Sequence, residues 1–414
     1  MSSGNNNKNE KATYALPIGP IHPALKEPVG FEFEIEGERI VNVDINIGHV
    51  HRGIEWIGMR RNPIQILYLA ERICGICAVS HPFAYCNAVE NAARIQVPER
   101  AQYIRTIIAE LERVHSHILW AGVAAHEIGF DSILYITWRI REKVLDILEL
   151  LTGNRVLRAI FTIGGVRRDI TKEHMPKIIE ALEYYKNLLQ KVMDMFLKDP
   201  TITLRCKNAG VLKKDDALKL CAVGPTTRAS GVPRDIRHDI PYAAYADFDI
   251  KPQTPDLFAG TVNGDVYDRI IVRLLELKQS IEIIEDCIAN MPSGEIMAER
   301  KPLVVINNLK KVVGEGLGRH EAPRGELAHY VKFTGDRESP YTWKVRAPTY
   351  NNILPWIPML LGQQIADIPI VAASTDPCMS CTNRVVVVKN GRRKTLTYEQ
   401  LHRASVRKTK ELNK

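Results

Sequence analysis

Residues 99–120, Glu99-Arg-Ala-Gln-Tyr-Ile-Arg-Thr-Ile-Ile-Ala-Glu-Leu-Glu-Arg-Val-His-Ser-His-Ile-Leu-Trp120, place apolar side chains three and four positions apart along their whole length. That spacing predicts one long helix with a buried stripe. The same period recurs over 132–151, 172–197 and 265–289, and each of these segments is longer than the average helix of about 11–12 residues. Long helices with one apolar side must bury it against each other, so the expected core is a bundle. Residues 30–47 follow a different rule: Phe31, Phe33 and Ile35 alternate with polar neighbours, Glu36-Gly37 marks a turn, and 40–47 returns. This is a β-hairpin with one buried face. The expected fold class is therefore mainly α with a small β portion, a long-helix core carrying an N-terminal β-hairpin layer.

Shorter signals fill the rest. Residues 64–71 suit a helix that runs up to a pair of cysteines, and Pro82 suits the first turn of a second helix over 83–94. Residues 224–255 are rich in Pro, Gly, Asp and Arg without periodicity, which predicts a long ordered loop. Residues 301–318 read as a loop or small α/β region, 327–334 and 341–345 as strands, and 352–361 as a short helix interrupted by proline. Near the end, 385–388, Asn390-Gly391 and 395–397 read as a hairpin, and Thr397 and Gln400 have capping-box spacing before a final basic helix.

At 414 residues, with 45% hydrophobic and 25% charged side chains, the composition is that of a soluble globular protein. No apolar run approaches the ~20 residues needed to span a bilayer. The first twelve residues lack an apolar core segment and read as a disordered lead, not a signal peptide. A net charge of +8 raises the possibility of nucleic-acid binding. Its distribution argues against it, because residues 385–414 hold nine basic and two acidic side chains, leaving a body that is nearly neutral.

Four of the eight cysteines stand in two C-x-x-C pairs, Cys74/Cys77 and Cys378/Cys381, some 300 residues apart. Two thiols three residues apart can hold one soft metal ion from a single turn of backbone, so four suggest a tetrathiolate site. Structural zinc sites usually staple a short local unit. A pair of pairs bracketing the whole chain leaves zinc, an iron–sulfur cluster and a catalytic metal all open on spacing alone. Cys86, Cys206, Cys221 and Cys287 stand singly and read as small buried apolar filler.

The flanks narrow the choice. Arg72-Ile73-Cys74-Gly75-Ile76-Cys77 followed by His81, and Asp376-Pro377-Cys378-Met379-Ser380-Cys381 followed by Arg384, resemble the two signature motifs of the large, catalytic subunit of [NiFe] hydrogenases. The resemblance runs from Gly19-Pro20-Ile21-His22-Pro23-Ala24 to the tail. Arg228-Ala229-Ser230-Gly231 with Asp235 and Arg237, and Gly264-Asp265-x-Tyr267-x-Arg269 with Arg273 and Glu276, look like the branch shared with the 49-kDa-type subunit of respiratory complex I. Within the hydrogenases that branch is the energy-converting, membrane-bound group. Its complex I relatives have lost the metal ligands, whereas all four cysteines are present here.

The resemblance implies that Cys74 and Cys378 are terminal ligands to nickel and that Cys77 and Cys381 bridge nickel and iron in a Ni-Fe(CN)2CO centre. Glu27 falls at the position of the family's proton-transferring glutamate; on composition alone it would be an ordinary surface residue. Glu55 is a second relay candidate, with a structural ion pair as its alternative. His81 is expected to donate to a thiolate, or otherwise to cap its helix. Arg324 and Asp376 match a canopy over the metals, or form a structural ion pair. His115, His117 and His126 read as core or interface histidines.

On this basis residues 13–384 are expected to form one large domain: an α/β part over 13–97, a helical core over 98–300 and a C-terminal part over 301–384. Arg384 stands where many family members have histidine, as in the energy-converting branch. There the residues beyond it are removed by a maturation protease once nickel is inserted, which makes 385–414 a maturation extension or, uncleaved, a basic docking arm. The implied function is a membrane-bound hydrogenase that reduces protons, with a ferredoxin-type donor, an Fe–S small subunit carrying the proximal cluster, and membrane ion-translocating subunits. Such a chain sits on the cytoplasmic side of the membrane, held by those partners. A complex I-like quinone or sulfur-compound reductase and a zinc-stabilised scaffold are the alternatives.

Overall fold

The computed structural model describes residues 13–382, 384–385, 387–389 and 392–413. Alternation of Phe31, Phe33 and Ile35 with Glu32, Glu34 and Glu36 gives β2 (Gly30–Glu36) one buried face. It pairs antiparallel on one side with β1 (Thr13–Ile18) and on the other with β3 (Arg39–Asn46), so Phe33 lies between Leu16 and Val43. The expected hairpin is thus the larger part of a three-stranded sheet, and Phe31 seats it on Trp356 of the C-terminal part.

Helix α1 (Pro63–Glu71) starts at a capping box in which Asn62 and Gln65 satisfy each other's backbone N–H groups. It ends at the first cysteine pair, and α2 (Ser80–Ala93) begins just beyond. Helix α3 (Glu99–Glu127) is longer than its periodicity suggested, and 22 of its 29 residues are buried. That burial covers far more than a stripe, because α3 is enclosed by α4 (Asp131–Thr152), α6 (Val266–Asn290) and other elements, with α5 (Met175–Lys198) packed outside on α4 and α6. A helix so enclosed that carries Arg105, Glu110, Glu112, Arg113, His115 and His117 must supply partners for each.

The C-terminal part holds a second antiparallel sheet, β4 (Val313–Ala322), β5 (Gly325–Thr334) and β6 (Thr342–Arg346). β4 lies directly on α2. A side chain at Gly316 or Gly318 would come within 2.1 Å of the Ala88 carbonyl or 2.0 Å of the Ala84 carbonyl, so only glycine allows this approach. Helix α7 (Ile368–Ser374) then leads to the second cysteine pair. Helices occupy 52% and strands 14%, which makes the fold mainly α as expected.

The 224–255 loop is ordered by several short helical turns and buried in part, with Arg228, Asp235 and Arg237 at 0% exposure. Of the single cysteines, Cys86, Cys206 and Cys287 are buried. Cys221 corrects the expectation: it is exposed, at a left-handed backbone position (φ 53°) that ends a short helix. Among the described residues no helix is long and apolar enough to cross a membrane. The tail forms a small hairpin, with Asn390-Gly391 outside the described residues, and then α8 (Tyr398–Leu412), whose Thr397–Gln400 capping box is present. Residues 1–12 also lie outside the described set.

Candidate metal centre

The two cysteine loops are tied together by Arg52. Its guanidinium donates to the carbonyls of Arg72 (2.9 Å) and Ile73 (2.8 Å) before the first pair and of Ser380 (3.0 Å) within the second. The first loop turns so that the N–H groups of Ile76 and Cys77 both point at Cys74 Sγ, at 3.4 and 3.2 Å. The second leaves α7 through Asp376 at φ 53°, a left-handed position that Asp tolerates better than most residues. Cys378 Sγ then lies 3.1 Å from the sulfurs of both Cys74 and Cys381, and these three sulfurs all fall within 4.8 Å of one another. Cys77 stands at the edge of that trio, its sulfur 3.3 Å from Arg324 Nη1.

Arg324 faces the thiols from the β4–β5 turn. Its Nε and Nη2 donate to the carbonyl (2.7 Å) and Oδ1 (2.8 Å) of Asp376, and Nη1 also meets Ser116 Oγ at 3.2 Å. Glu27 approaches from the opposite chain end. One of its oxygens accepts the backbone N–H groups of Met379 and Ser380, between the two cysteines of the second pair. Burial raises the Glu27 carboxyl above its usual range and the charge of Cys74 pushes the same way, while the Met379 and Ser380 N–H groups and Arg324 oppose them. His81 Nε2 lies 3.5 Å from Cys381 Sγ, and burial lowers its pKa to about 4, so the ring is neutral near pH 7.

The donor set fits a soft metal. Four thiols, each at most 4% exposed, are unpaired as disulfides yet share one small volume. Backbone N–H groups and a guanidinium aim at sulfur, and hydrogen bonds from Cys378, Cys381 and Cys77 hold Cys74 well below the ordinary thiol range. Negative charge is thus favoured at Cys74, where burial alone opposes it. Those same bonds, with burial and the neighbouring Cys74 charge, push Cys77, Cys378 and Cys381 up, so a metal would have to displace their protons. Thiolates gathered this way suit nickel or iron far better than magnesium or calcium.

Other candidates lie elsewhere. Glu55 accepts Val345 N–H (2.9 Å) and pairs with Lys344 (3.1 Å) and Arg384 (3.6 Å), a structural tie between the N-terminal part and β6. His115 meets Arg141, His117 meets Glu276, and His126 meets Asp131 at the surface. Two groups escaped the sequence reading. Glu112 accepts Val79 N–H (2.6 Å), Ser80 N–H (2.9 Å) and the Ser80 hydroxyl, pinning the loop after Cys77. His329 sits behind His81, with 3.1 Å between its Nε2 and His81 Nδ1. Charged residues in the middle of a predicted buried helix were the signal for Glu112; His329 carried none.

Residues 52–121 match the family described as nickel-dependent hydrogenase, and residues 127–384 match the 49-kDa subunit of respiratory-chain NADH dehydrogenase. The membrane-bound hydrogenase subunit alpha of Pyrococcus furiosus is 48% identical over 96% of this chain and 94% of that protein. The chain belongs to the family of membrane-bound [NiFe] hydrogenase large subunits, related to the 49-kDa-type subunit of complex I. The carbon monoxide-induced hydrogenase of Rhodospirillum rubrum is 39% identical over 90% of this chain and all of its own length. The fold is shared with a chain of the archaeal membrane-bound sulfane sulfur reductase, with a TM-score of 0.83 at 30% identity, over 91% of this chain and 100% of that one. Large subunits of this family belong to multisubunit membrane complexes of oxidoreductases.

Proposed function

We propose that this large subunit is the catalytic subunit of a membrane-bound hydrogenase that reversibly reduces protons to H2. In this reading Cys74, Cys77, Cys378 and Cys381 hold the nickel–iron group. Electrons arrive from a ferredoxin-type donor through an Fe–S partner subunit, and membrane subunits hold this chain on the cytoplasmic side and couple the reaction to ion translocation. The observation that carries it is the convergence of four buried thiols from opposite ends of the chain beneath Arg324. When bound, the metal group supplies the redox site at which protons and electrons combine.

The chain's own residues manage the protons and the charge. Glu27, whose carboxyl burial raises above its usual range, is suited to take and release a proton at a carboxylate oxygen. It lines a cavity of about 230 Å³ that also reaches Arg324 and Asp376 at its inner end, and Lys26 and Glu127, which gives the proton a way outward. Arg324 and Asp376 act as the canopy, with Arg324 compensating thiolate charge from a fixed position. Residues 13–384 are the catalytic unit in this reading, and 385–414 an extension removed by a maturation protease.

Elemental analysis with infrared spectroscopy on the anaerobically purified complex tests this. About one nickel per chain together with CO and cyanide stretching bands is the expected result. The same cavity favours a second reading, a complex I-like subunit reducing a quinone or sulfur compound, in line with the sulfane sulfur reductase relative. No nickel and no such bands in mature protein would select that reading, and one zinc alone a scaffold.

A further inference from the structure

Three hydrogen-bond gaps lie in one line from the C-terminal sheet to the metal-side sulfur. Trp343 Nε1 is 3.2 Å from His329 Nδ1, His329 Nε2 is 3.1 Å from His81 Nδ1, and His81 Nε2 is 3.5 Å from Cys381 Sγ. All three side chains are at most 1% exposed. His329 and Trp343 share a face of the β5–β6 pair, where Trp343 stands opposite Val331, two positions from His329.

The two ends of this line have fixed roles. An indole nitrogen has a proton to give and nothing to accept with, and a metal-holding thiolate can only accept. A proton from Trp343 therefore obliges His329 Nδ1 to be the acceptor, which leaves the ring proton on Nε2. That proton obliges His81 Nδ1 to accept and leaves its own proton on Nε2, facing Cys381. Three gaps receive three protons. A second proton on either ring would set two donors against each other. Reversing one tautomer alone would leave one gap with two protons and another with none.

We propose that Trp343 and His329 are positioning residues that set the tautomer of His81, so that a permanent N–H is directed at the sulfur of Cys381. The inference extends the metal-centre reading and rests on it for its effect on the metals, though not for the tautomers themselves. A donated N–H withdraws electron density from the sulfur and so from whatever the sulfur binds. Because the relay is buried and held on a sheet and a helix, that donor is in place before any chemistry begins.

The test uses the assembled, metal-loaded complex and the infrared CO and cyanide bands. In His329→Leu the relay is broken, His81 is free to hold its proton on Nδ1, and both sets of bands are expected at lower frequency with nickel content unchanged. In His329→Gln the side-chain amide can donate to His81 and its oxygen can accept from Trp343, so the wild-type frequencies are expected to return. Wild-type bands in His329→Leu, or an equal shift in both variants, would overturn the proposal. A wild type without such bands would count against the metal-centre reading alone. The tautomers are then read directly from ring-nitrogen NMR shifts of isotopically labelled histidine, assigned by the signals lost in His329→Gln. Both rings protonated at Nε2 support the relay, and Nδ1 protonation of either refutes it.

Discussion

Glu27 accepts the backbone N–H of Ser380 at 3.3 Å and that of Met379 from closer still, although the two sides of this contact are more than 350 residues apart in the chain. The carboxylate is thereby fixed beside the loop between Cys378 and Cys381 without being a ligand itself. An amide oxygen can accept the same N–H groups, so Glu27→Gln should preserve the loop and remove only the titratable group. The expected outcome is a loss of H2 evolution of about 10²–10⁴-fold with nickel content unchanged. Full activity in that variant would place the proton route elsewhere.

Much of this arrangement is legible from residue types, and the remainder fails for identifiable reasons. The four long helices declare themselves because burial on one side imposes a 3.6-residue period, and the cysteine pairs because their flanking residues are specific. β4 was hidden because Gly314, Gly316 and Gly318 lower strand propensity and their purpose, contact with the α2 backbone, is tertiary. For Glu55 the sequence leaves a relay role and a structural ion pair side by side, because its partners Lys344 and Val345 lie about 290 residues away and only the fold brings them to it. The 228–237 and 269–276 segments stood out as motifs, yet only the folded chain shows what they build.

What they build is a buried ionic cluster. Glu110, Asp235, Glu276 and Glu321 share hydrogen bonds or ion pairs with Arg113, Arg228 and Arg237, all at 2% exposure or less. Four carboxylates facing three guanidiniums leave one acid in excess. Burial, with Asp235 nearby, pushes Glu321 up to about 7. An acid whose folded pKa is raised favours the folded state most below its unfolded pKa of about 4.5, and that contribution is lost as pH rises through about 7. Glu321→Gln should remove this dependence, so its stability relative to wild type should improve with pH by up to about 3 kcal/mol. Melting curves across that pH range check it, and a variant equally or more destabilised at high pH would refute it.

Arg324 holds Asp376 through two guanidinium nitrogens while a third faces Cys77. Lysine keeps the charge and cannot reproduce the fork. Arg324→Leu should cost about 3–5 kcal/mol, because it leaves the Asp376 charge without its partner. Arg324→Lys should cost less in stability yet still lower turnover strongly, since one ammonium cannot serve both the aspartate and the sulfur. Chemical denaturation and H2 evolution measured on both variants separate the two effects. Equal turnover in Arg324→Lys and wild type would mean that charge alone suffices at this position.

Helix α8 reaches back to the body where Glu399 meets Arg60 (2.8 Å) and the indole nitrogen of Trp56 (3.2 Å), and His402 stacks on Trp56 at 5.2 Å. The ion pair lies at the surface on both sides, where salt screens it and such pairs contribute little. Removing 385–414 should therefore leave the melting temperature within about 2 °C of the full chain, while taking away most of the +8 net charge. Trp56 should then become more accessible, and in the full chain its fluorescence should change as added salt loosens the helix. A drop in melting temperature much larger than this would show that the tail is an integral part of the fold, and would count against the proposal that a protease removes it without disturbing the catalytic unit.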